Sequence, residues 1–142
     1  MTGFRQTGSG FPRPESEGWL YTPPGWAGLA GGLGADFVSL AVPPGRWLII
    51  PLLTVALGAG GTNGAGWVGT QSSAGYSPIP PTPPWAVQSV ITYPPALTSN
   101  VGVPLGAFAW ESAVETTLWL SGGGWSSGYF GTGSLFALEN WS

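Results

Sequence analysis

The sequence predicts an all-β fold, a sandwich, jelly roll or barrel of seven or eight short strands preceded by an extended N-terminal arm. Three observations predict it. From residue 35 onward, short apolar runs rich in Val, Ile, Leu and aromatic residues recur between Pro- and Gly-rich turn signals. Helical periodicity is nearly absent, and the one candidate, around Ala113, is short and rich in Thr and Val. Finally, nine Trp, six Phe and four Tyr are too many large apolar side chains for a chain that stays solvated. The 25 Gly and 15 Pro are therefore read as punctuation between strands.

The elements follow in chain order. Residues 1–34 hold four of the nine charges, and their aromatics, Phe4, Phe11, Trp19, Tyr21 and Trp26, are scattered without period. Pro12, Pro14, Pro23 and Pro24 forbid a helix and discourage a central strand. This stretch is expected to be an arm whose aromatics anchor it on another protein, and residues 35–142 to be the β domain. Residues 36–42 form the first strand, ended by the turn Pro43-Pro44-Gly45.

Residues 46–57 are apolar at both parities, where a strand with one wet face would alternate. One face then meets the domain core and the other a neighbouring subunit. Trp47, Ile49, Leu52, Leu53, Val55 and Leu57 are the expected trimer contacts, and Pro51 marks a bulge or an edge. Residues 58–66 are expected to loop, 67–72 to form a short strand, and 76–84, with five prolines, to be a stiff connector. Strands are then expected over 85–93, 101–110, 115–120 and 134–139, with a glycine-rich loop over 121–133.

Composition narrows function. Only 6% of residues are charged, against about 25% in an ordinary soluble domain. So few charges leave a lone subunit little to keep it soluble, which argues that neighbouring subunits cover much of the surface. The chain has no His, Cys or Lys, so Ser-His-Asp and Cys-His arrangements, Schiff-base lysines and thiolate or imidazole metal sites are all unavailable. Glu111 and Glu115 are the nearest thing to a carboxylate pair, but flank a turn, and a non-enzymatic role without cofactor or metal is expected. Three Arg within a net charge of −3 cannot build a phosphate-binding stripe, so no nucleic acid is expected. The apolar run from residue 47 to 57 is too short for a spanning helix, so no membrane partner is expected either. Trp67, Trp85 and Trp125 could stack on sugar rings or fill a core; packing is the more common use.

The run Asp36-Phe37-Val38-Ser39-Leu40-Ala41-Val42-Pro43-Pro44-Gly45-Arg46-Trp47-Leu48-Ile49 resembles the opening of small C1q/TNF-like jelly rolls in tailed-phage structural proteins. The ending, from Thr117-Leu118-Trp119-Leu120 to Gly133-Ser134-Leu135-Phe136-Ala137-Leu138, is similar to their last two strands. The resemblance implies a homotrimeric jelly-roll knob on the virion, assembled in the host cytoplasm. Its first expected role is a capsid decoration protein held on the major capsid protein by the N-terminal arm. Its second is a fibre-tip knob that recognises a host cell-surface glycan.

Overall fold

The computed structural model describes residues 19–29, 33–57, 64–77, 83–92, 99–125 and 128–139. Among them every regular element is a strand: β1 (Trp19–Tyr21), β2 (Gly25–Gly28), β3 (Ala35–Val42), β4 (Gly45–Leu57), β5 (Gly64–Gly69), β6 (Ala86–Thr92), β7 (Ser99–Val103), β8 (Phe108–Ser112), β9 (Thr116–Gly123) and β10 (Gly128–Glu139). They make two antiparallel sheets. One runs β1-β10-β4-β7, with β2 also on β10 and β8 also on β4; the other runs β3-β9-β5-β6.

β1 and β2 share one edge of β10, and β7 and β8 share one edge of β4. Each pair thus fills a single place, which leaves eight places in the orders 1-8-3-6 and 2-7-4-5. The chain is one long antiparallel hairpin whose successive pairs fall in alternate sheets. That is a jelly roll, as expected.

The core between the sheets takes Ile49 and Val55 from β4, Leu135 from β10, Phe37 from β3, and Leu118 and Leu120 from β9. The β3–β4 turn forms where the Pro-Pro-Gly signal places it. Gly45 has φ 129°, a conformation that only glycine adopts readily. The Trp47 indole N–H donates to the Pro43 carbonyl at 3.0 Å and locks the turn. Pro51 sits in no bulge: it pairs with Leu135, while on the other edge β8 takes residues 45–49 and β7 takes 53–57. The missing amide hydrogen falls at a local edge of the strand, one of the two readings its position allowed.

Several boundaries differ from the expectations. β5 covers Gly64–Gly69 rather than 67–72, and β10 begins at Gly128 rather than 134. Both extensions are glycine-rich, and the reason is cross-sheet packing. A Cβ on Gly131 would stand 2.6 Å from the Phe37 ring, and one on Gly133 would be 2.5 Å from Leu120. These glycines are recesses for large side chains of the opposite sheet. The single strand expected over 101–110 is two strands, because the chain leaves the sheet at Pro104 and buries Leu105. Trp19, Tyr21 and Trp26, placed by the sequence in an arm anchored on another protein, lie on strands paired with β10. Phe4 and Phe11 lie outside the described residues.

Candidate assembly surface

β4 runs through the middle of the six-stranded sheet, and its side chains alternate across it. Trp47, Ile49, Leu53 and Val55 are buried between the sheets. Leu48, Ile50 and Leu52 point the other way, and Leu52 is 53% exposed. Four of the expected trimer contacts therefore belong to the chain's own core, and Leu52 alone of that group has its described side chain on the outer face. Leu57 closes β4. The expected set mixes the two parities of β4, and the odd-numbered positions from 47 to 55 are the inward ones.

Register extends the outer stripe, since residues directly opposite on paired strands share a face. Leu138 stands opposite Leu48 and Phe136 opposite Ile50. Trp19 and Tyr21 flank them on β1, 45% and 44% exposed. Tyr21 packs on Phe136 with ring centroids 4.8 Å apart. Ala109 stands beside Leu48 on β8, and the next outward pair, Arg46 and Glu111, bounds the stripe with an exposed ion pair at 3.9 Å. Toward the other end, Thr132 pairs with both Trp26 and Thr54, and Phe130 with both Gly28 and Ala56.

The size of this face matters more than any one residue. At their fractional exposures, the four aromatics Trp19, Tyr21, Trp26 and Phe130 leave on the order of 400 Å² of side-chain surface in water. Leu48, Leu52 and Leu138 raise the total to about 600 Å², at the top of the range for the largest apolar patch of an ordinary monomer. A stable interface takes about 800 Å² from each partner, polar rim included.

In fold, the chain resembles a protein of a virus particle. A chain in the structure of infectious bursal disease virus, Gx strain, superposes with a TM-score of 0.50 at 10% identity, over 87% of this chain and 33% of the viral one. This chain thus spans about a third of the length of that neighbour. The infectious bursal disease virus VP2 subviral particle gives a TM-score of 0.48 at 8% identity, over 85% and 32% of the two chains. A Bacillus endospore appendage, of a family of disulfide-linked pili, gives 0.43 at 10% identity, over 87% and 89%. At such identities the likeness is one of fold. No family model and no curated protein matches the sequence.

The tryptophans proposed for sugar stacking are otherwise employed. Trp67 and Trp125 are buried, so neither ring face is open to a ligand. The indole N–H groups of Trp67 and Trp85 both donate to the buried Ser73 hydroxyl oxygen, each at 2.9 Å. Tyr76 packs edge-on against both rings. Asp36 holds the same loop from the other side. Its carboxylate accepts from the Ser73 backbone N–H at 2.9 Å, from the Ser121 hydroxyl at 2.7 Å and from the Ser72 hydroxyl. This cluster ties residues 72–76 to the sheet of β3 and β9. Of the two acids singled out by sequence, Glu111 lies on β8 with Arg46 and Glu115 in the β8–β9 turn.

Proposed function

We propose that this chain is a structural subunit of a virus particle, a trimeric decoration protein whose copies meet through the outer face of the β1-β10-β4-β8 sheet. One observation carries the reading: a contiguous apolar face, centred on Leu48, Ile50, Leu52, Phe136 and Leu138, in a chain with 6% charged residues. The jelly-roll topology supports a structural β protein, and the fold is one that a virus particle uses. Residues 1–18 are the attachment segment in this reading, since β1 and β2 belong to the sheet. The major capsid protein is the proposed partner and the outside of the capsid the proposed location. The alternative, a fibre-tip knob that holds host glycan, draws its support from Trp26 and not from Trp67 or Trp125.

Light scattering on the full chain tests the reading. Three copies of 14.6 kDa give about 44 kDa, and Leu52→Glu should return the single-copy mass without unfolding the domain. A wild-type protein that stays at 14.6 kDa at all accessible concentrations would overturn it. Particle binding is tested separately by removing residues 1–18, which should abolish attachment and leave the oligomer intact.

A further inference from the structure

We infer that the trough lined by Trp26, Phe130 and Thr132 is a binding site for a neutral pyranose sugar. The inference goes beyond the assembly reading and does not depend on it. β10 brings the three together: Thr132 is directly opposite Trp26, and Phe130 lies one outward step along the same strand. They enclose an open concavity of about 370 Å³, within the size range of small-molecule sites.

Trp26 is 74% exposed, the most open of the exposed large apolar side chains among the described residues, and Phe130 is 44% exposed. An isolated ring this open contributes little to the fold. The neighbouring outward positions are small, Gly28 and Ala56 beside Phe130 and Gly102 beside Thr54, and a Cβ on Gly102 would meet nothing within 4 Å. The trough is therefore lined by two exposed aromatic side chains and Thr132, with Thr54 opposite Thr132 on β4.

That chemistry suits a sugar. An indole face carries the negative side of its quadrupole, which attracts the polarised C–H bonds on the flat side of a pyranose ring. A threonine hydroxyl both donates and accepts, as a sugar hydroxyl does. No described charged residue lies in these rows. The Arg46–Glu111 pair is eight residues away along β4, about 26 Å. No described side chain there would neutralise a carboxylate or sulfate, and the ligand inferred is uncharged. The trough borders the leucine stripe at Leu52, two residues from Thr54 along β4, and lies about 20 Å from Leu138 along β10.

The test uses the full chain and saturation-transfer NMR with methyl glycosides of glucose, galactose and N-acetylglucosamine, with N-acetylneuraminic acid as the anionic control. A shallow site gripping one ring should give a dissociation constant on the order of 1 mM for at least one neutral sugar. Trp26→Ala should weaken it at least about tenfold, while Trp26→Phe keeps most of it and both variants unfold at the wild-type temperature. No transfer to any neutral sugar at tens of millimolar would overturn the inference, as would binding that survives Trp26→Ala or favours the anionic control. A change of oligomer mass in Trp26→Ala would overturn it too, by assigning the ring to a contact between copies. A monomeric wild type that still binds sugar would sink the assembly reading alone.

Discussion

Gly131→Ala places a methyl group where the structure has no room for one. The added Cβ would stand 2.6 and 2.8 Å from two atoms of the Phe37 ring and 3.3 Å from Val55. Phe37 is buried on β3 and cannot swing into solvent, and β10 is held between β4 and the β1/β2 pair. Overpacking of this kind costs about 1–3 kcal/mol. For a domain of this size, 2 kcal/mol lowers the melting temperature by about 8 °C. Phe37→Leu alone leaves a void and costs about 1–2 kcal/mol. Combined, the methyl fills part of the space that the ring vacates, so the double variant should be no less stable than Phe37→Leu, a coupling of at least about 1 kcal/mol. Urea unfolding of all four proteins at one fixed concentration measures this, since self-association would otherwise shift the midpoint. A neutral Gly131→Ala, or two costs that simply add, would refute the claim that the β10 glycines are recesses for the opposite sheet.

Ser73→Ala removes the shared acceptor of two indole N–H groups, one on the fully buried Trp67, and should cost about 2–4 kcal/mol in urea unfolding with a change in tryptophan emission. Arg46→Ala should change stability by no more than about 0.5 kcal/mol, because the Arg46 and Glu111 side chains are 59% and 72% exposed and the pair is screened by water. Leu52→Glu should leave the far-UV spectrum unchanged, since Leu52 lies outside the core, and separate any effect on assembly from one on folding.

Strand-forming residues and Pro-Gly turns made β3, the β3–β4 turn, β4 and β6 readable from sequence. What hid the rest was glycine. Gly66, Gly131 and Gly133 carry the local signature of loops, and only the partner across the sandwich explains them: Val103 and Leu53 lie against Gly66, Leu120 against Gly133, and Phe37 against Gly131. No local rule sees a partner ninety residues away. The orientation of β4 was closer to hand. Arg46 and Thr54 share the parity of Leu48 and Leu52, and a cation with a hydroxyl at the two ends of a stripe marks its open side. Likewise Trp19 and Tyr21 alternate with Leu20, a period-two signal too brief to stand out among four prolines. Trp26 carried no signal of its own, because its exposure follows from the place of β2 beside β10.

β1 has a mechanical consequence. Trp19, Leu20 and Tyr21 run antiparallel to Leu138, Ala137 and Phe136, and Thr22 finishes the seam by donating its N–H to the Leu135 carbonyl at 3.0 Å while its hydroxyl accepts from the Leu135 N–H at 2.9 Å. A force applied through residue 18 pulls along the axis of β1, across these bonds rather than down their length. They must then fail together instead of unzipping one after another. A protein tethered from that end would be hard to peel off its own last strand.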